Sequence, residues 1–167
     1  MEDKLFGCIL GLAVMLIAAY TDYKKAKIYN VVVIPAVLIY CGYLFVSSHY
    51  SIMDSRFIVS IKWCLMSWAV TFIPIILDLM RGGDGKLVAF AGLILCQDII
   101  VMLIYFLLIA FIWFVINDAK ENKSLVKTLG SLIFCKNFSN KARRYNLGGL
   151  FICIAFIITI LRSGLVV

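Results

Sequence analysis

The chain has 167 residues, 64% of them hydrophobic, a mean hydropathy of +1.05 and a net charge of +7. That hydrophobicity excludes a soluble globular protein, and the length leaves room for roughly six helical membrane crossings without a separate soluble domain. The basic residues lie between apolar runs and are not interleaved with aromatics on a soluble face, so the excess reads as membrane topology and not nucleic-acid binding. The expected architecture is an all-α polytopic membrane bundle with about six transmembrane helices, forming one domain over 1–167.

The first apolar run, Leu5 to Tyr20, lacks a small-residue cleavage pattern and reads as a retained span. Gly7 and Gly11 within it have the four-residue spacing that lets helices pack closely in a membrane. A polar stretch with Asp22, Lys24, Lys25 and Lys27 follows, and Asn30 opens a second span that runs through Pro35 to Val46. The connection from Ser47 to Arg56 contains His49, which reads as a surface residue. A third span is expected from Phe57 to Leu79.

The stretch Gly82-Gly83-Asp84-Gly85-Lys86 then reads as a helix-breaking glycine loop. From Lys86 an apolar run continues to Ile116, interrupted only by Gln97-Asp98, and it reads as two antiparallel spans with Asp98 in an outer turn. The segment from Lys86 to Cys96 is too short to cross a core of about 30 Å, so it is expected to be tilted, shielded or submerged. Such a helix is one way to bring water to apolar depth.

Residues 117–146 form the one long polar segment and hold seven of the sixteen basic residues. Leu125, Leu129, Leu132 and Ile133 recur there at helical spacing, which fits either a basic amphipathic helix on anionic lipids or a solvated loop. A last span is expected from Leu147 to Leu161. Five of the six cysteines lie in apolar runs and Cys135 in the basic segment, with no paired metal-ligand spacing and no expected disulfide. The aromatics Tyr20, Tyr23, Tyr29, Trp63, Trp68 and Trp113 read as interface anchors and packing.

Alternate connections put twelve Lys and Arg residues on one side and three, Lys4, Arg56 and Arg162, on the other. The positive-inside rule then places both termini outside the cytoplasmic membrane and brings Asp22 and Asp84 to its cytoplasmic face. Carboxylates at the edges of membrane spans are costly and mark function. Two of them sharing a proton would supply the base and the acid of an aspartyl hydrolase. Asp78, close to Asp84 in sequence, has at most a supporting role.

The run Asp22-Tyr23-Lys24-Lys25-Ala26-Lys27-Ile28-Tyr29-Asn30 and the run Gly83-Asp84-Gly85-Lys86-Leu87 resemble the two motifs of the type IV prepilin peptidases, membrane aspartyl proteases of the glycine-x-glycine-aspartate class. The resemblance implies that Asp22 and Asp84 are the catalytic pair, with no metal or other cofactor. Ile28 and Asn30 would then shape the first motif, and Gly82, Gly83 and Lys86 the second. It also implies cleavage of the basic leader of a prepilin-like membrane protein at the cytoplasmic face. Arg81 stands where the family's motif usually has its first glycine, Tyr29 where a proline often precedes the asparagine, and Gly85 in place of a common aliphatic residue. Arg81 is thereby a modulator, either pairing with Asp84 or binding substrate backbone. The missing cysteine-rich insertion between the first two spans implies a short form without methyltransferase activity. The competing readings are a small transporter or channel subunit relaying a proton or cation through the same aspartates, and a non-catalytic scaffold.

Overall fold

The computed structural model describes residues 2–25, 27–48, 54–76, 80–122 and 148–164. Within them lie six α-helices: α1 (Glu2–Lys25), α2 (Asn30–Ser47), α3 (Ser55–Ile76), α4 (Gly82–Leu95), α5 (Ile99–Asn122) and α6 (Gly148–Ser163). A single 3-10 turn, Cys96–Asp98, joins α4 to α5, and no strand occurs among the described residues. His49, Asp78, Cys135 and positions 123–146 of the basic segment lie outside the described residues.

Four helical stretches are long and apolar enough to cross a membrane: Leu5–Lys25, Asn30–Ser47, Ser55–Ile76 and Gly82–Trp113. The last is not one straight rod. Cys96 has φ 50° and ψ −123°, which no continuing helix permits, so the chain breaks there into α4 and α5. α6 is apolar but has only 16 residues. Large apolar side chains such as Leu38, Val70, Ile73, Leu107 and Leu108 stand exposed on α2, α3 and α5, the surface expected of a chain whose surroundings are hydrocarbon.

α4 is the buried centre. Leu87, Val88, Phe90 and Leu93 are closed off from the surface, and α4 touches every other helix. The short helix anticipated in the sequence is therefore shielded by protein. Its tightest neighbour is α3, whose buried positions, Ser60, Ser67 and Thr71, are all small and hydroxylated. They permit close approach because α4 answers with glycines. A Cβ on Gly92 would strike Ser67 Oγ and come within 2.8 Å of the Trp63 carbonyl oxygen, and one on Gly85 would come within 3.1 Å of Thr71 Oγ1. Ser67 and Thr71 satisfy their hydroxyls on carbonyls of their own helix, at 3.0 and 2.6 Å, so burying them leaves no orphan donor.

The small-residue face of α1 works similarly. A Cβ on Gly7 would lie 2.8 Å from the Tyr40 ring of α2, and one on Gly11 would lie 2.6 Å from Phe156 of α6 and 2.9 Å from Ile94 of α4. Packing of Gly148 on Asp84 and of the Trp113 ring on Phe151, at 5.9 Å between centroids, brings the late part of α5 back beside the start of α4. α4 and α5 thus run in opposite senses.

Three boundaries differ clearly from the hydropathy reading, one of them the end of α5, which runs past Ile116 to Asn122 and into the expected polar segment. α1 does not end at Tyr20 but continues through Asp22 to Lys25, with Thr21 Oγ1 folding back onto the Ala18 carbonyl oxygen at 2.9 Å. Nor do the glycines at 82 and 83 form a loop. They make the first turn of α4, where N–H groups have no partner within the helix and glycine's flexibility costs least.

Candidate active site

Asp22 sits in the last turn of α1, the end of that helix that carries partial negative charge. Asp84 sits at the third position of α4. The preceding Arg81 is extended, at φ −84° and ψ 151°, and its backbone N–H donates to Asp84 Oδ2 at 3.2 Å, while the Asp84 N–H donates to the Arg81 carbonyl oxygen at 3.0 Å. Asp84 thereby caps the helix that carries it. Both carboxylates are buried, Asp22 being 3% and Asp84 1% exposed.

They line one cavity of about 440 Å³, with Lys27, Ile28, Tyr29, Asn30, Arg81, Gly83 and Lys86 among its other walls. The residues singled out by the two motifs meet here. Lys86 Nζ donates to Asn30 Oδ1 at 2.6 Å, tying the start of α2 to the first turn of α4. Gly83 lies so close to Ile28 that a Cβ would come within 3.0 Å of the Ile28 Cβ, so a larger residue would push the two motifs apart. Gly82 has no such constraint, since nothing lies within 4 Å of a Cβ added there. Gly85 faces away from the cavity, toward Thr71 and Ile75 of α3, where an aliphatic side chain has no space.

Arg81 divides its contacts. Its backbone holds Asp84, but its guanidinium reaches Asp22, with Nη1 3.8 Å from Oδ1. The Arg81 charge therefore acts on both acids, as an ion pair across helices to Asp22 and through its proximity to Asp84. Asp98 lies at the opposite end of α4, beside a second cavity of about 250 Å³ lined also by Cys8, Trp63 and Cys96.

Sequence reasoning missed Gly148 and Gly149, which open α6 directly on the two acids. Gly149 N–H donates to Asp22 Oδ2 at 2.9 Å. A Cβ on Gly148 would collide with the Asp84 carboxyl group, and one on Gly149 would come within 3.1 Å of the Asp22 Cβ. The signal was a glycine pair at the head of an apolar run, but its contribution is backbone N–H and absent side chain, which motif reading by side-chain chemistry overlooks. Among the described residues no cluster of three His, Cys, Asp or Glu side chains is placed to hold a metal ion.

Two buried carboxyl groups on the walls of one open cavity can divide acid and base work on a water and a carbonyl compound. No protein-family model matches the sequence, and no curated protein and no solved structure matches it.

Proposed function

We propose that the chain is a membrane aspartyl endopeptidase that removes the leader of prepilin-like proteins at the cytoplasmic face, with Asp22 and Asp84 as its catalytic pair. The observation that supports this reading is the convergence, from two distant stretches of sequence, of both acids with Ile28, Asn30, Gly83 and Lys86 around one cavity. In the reaction, one carboxylate takes a proton from water as the water oxygen adds to the scissile carbonyl carbon. The other carboxyl, still protonated, donates to the carbonyl oxygen. Collapse of the tetrahedral intermediate breaks the C–N bond: the departing amine takes the proton that came from water, and a hydroxyl of the intermediate returns its proton to the pair as the new carbonyl forms, restoring the shared-proton state. No metal or other cofactor enters this scheme.

In the proposed topology all six helices cross or enter the bilayer and both termini lie outside, with the basic segment 117–146 against the anionic cytoplasmic leaflet. The substrate's apolar helix would reach the cavity from the lipid, and its scissile bond would enter at the level of Asp22 and Asp84. A proton or cation relay through the same acids has less support. The buried hydroxyls Ser67, Thr71 and Thr159 are bonded to carbonyls of their own helices and do not form a polar path through the bundle. Co-expression of the chain with a candidate prepilin tests the proposal. The expected result is a single cut between the basic leader and the apolar helix, read by the mass of the shortened protein, and an uncut prepilin beside well-expressed enzyme would count against it.

A further inference from the structure

The two aspartates are not equivalent, and the difference lies in what each oxygen faces. Asp22 Oδ2 accepts the Gly149 N–H at 2.9 Å and Oδ1 faces the Arg81 guanidinium at 3.8 Å. Both oxygens look at donors, and the partial positive start of the 16-residue α6 offsets the negative end of α1 on which Asp22 sits. Such surroundings fit an acceptor with no proton of its own. Asp84 differs. Its Oδ2 takes the Arg81 backbone N–H, and its Oδ1 is buried with no hydrogen-bond partner among the described residues.

The start of α4 favours negative charge on Asp84, but a bare anionic Oδ1 buried without a donor is costlier than a neutral hydroxyl there. The Asp84 carboxyl is also pressed against Gly148, where a side chain would leave it no space. Among the described residues, the charged groups around the pair are Arg81, just before α4, Lys86 of α4 and Lys27 in the stretch leading into α2. Where α3 meets the first turn of α4 it presents Thr71 and Ile75, and α6 presents its two glycines.

We infer that the first turn of α6 is a built part of this site, in which the Gly149 N–H holds Asp22 as the unprotonated acceptor and the proton of the pair rests on Asp84 Oδ1. Gly149 is then a positioning residue. Resting on the peptidase reading, the inference further makes Asp22 the base that activates water and Asp84 the acid that polarises the carbonyl.

The test is infrared spectroscopy of the full chain in lipid vesicles at neutral pH, following the carbonyl stretch of a protonated carboxylic acid and its shift in heavy water. The expected result is one such band that Asp84→Asn abolishes and Asp22→Asn retains. Gly149→Pro removes an N–H of the first turn of α6 that has no partner within the helix and adds the same Cβ as Gly149→Ala, so an effect beyond that of Gly149→Ala, an added or shifted protonated-carboxyl band belonging to Asp22, is expected. Gly149→Ala keeps the N–H and is expected to leave the Asp84 band in place. A band that survives Asp84→Asn and disappears with Asp22→Asn overturns the inference, as does absence of any band in the wild type. The readout is independent of proteolysis. The expected bands without leader cleavage would sink the peptidase reading alone, and leader cleavage with the reversed band pattern would sink this inference alone.

Discussion

At the scale of single residues, the site depends as much on missing side chains as on present ones. Gly148→Ala places a methyl group into the Asp84 carboxyl, and a well-packed position of this kind loses about 1–3 kcal/mol on overfilling. We expect Gly148→Ala to lower peptidase activity at least tenfold with a smaller loss of thermal stability, measured by cleavage rate and melting temperature on one preparation. Gly82→Ala is the internal comparison, since nothing lies within 4 Å of the added group, and its activity should stay near wild type. Arg81 makes its ion pair at 3.8 Å with a side chain 38% exposed, but its partner Asp22 is only 2% exposed, so replacing Arg81 costs more than the roughly 0–1 kcal/mol of an exposed pair. Arg81→Ala should slow cleavage moderately through the altered surroundings of Asp22, and the folded chain should persist.

At the scale of elements, the contact between α3 and α4 is the one most sensitive to volume. Gly92→Ala meets both the Ser67 hydroxyl and the Trp63 carbonyl oxygen. The side chain can be removed by a second substitution and the backbone oxygen cannot. The double variant Gly92→Ala with Ser67→Gly should therefore recover only part of the stability lost by Gly92→Ala, a coupling readable from the melting temperatures of the two single variants and the double. Gly42, within α2, has open space where its Cβ would stand, and Gly42→Ala should be neutral or stabilise the helix by up to about 1 kcal/mol.

The apolar runs made the six described helices legible in the sequence, because a run of that length has few other uses. Their ends were less legible. Hydropathy closes α1 at Tyr20, yet Thr21 and Asp22 are compatible with a helix once the threonine hydroxyl turns back to a carbonyl and Asp22 meets the start of α6. The glycines of the second motif read as a break for the same reason that they work as a first turn, their backbone freedom. Asp22, Asp84, Ile28, Asn30, Gly83 and Lys86 could be chosen from sequence because each carries side-chain chemistry or fits a spacing. Gly148 and Gly149 could not, since what they bring is a backbone donor and empty volume supplied from the far end of the chain.

At the scale of the whole molecule, the bundle places its acids at one end of a shielded central helix and leaves its outer faces apolar. The proposed orientation predicts that an alkaline phosphatase reporter is active when fused after Val167 and inactive when fused within the basic segment, near Lys127. The reverse pattern would invert the topology and move the acids to the wrong face for a cytoplasmic leader. The central claim is that Asp22 and Asp84 act as one catalytic pair, and its most direct test is leader cleavage in membranes by the wild type, Asp22→Asn and Asp84→Asn at matched expression. Asparagine keeps the shape of aspartate without the exchangeable proton, so the account predicts cleavage by the wild type and none by either variant. Cleavage by either variant at the wild-type rate would contradict it.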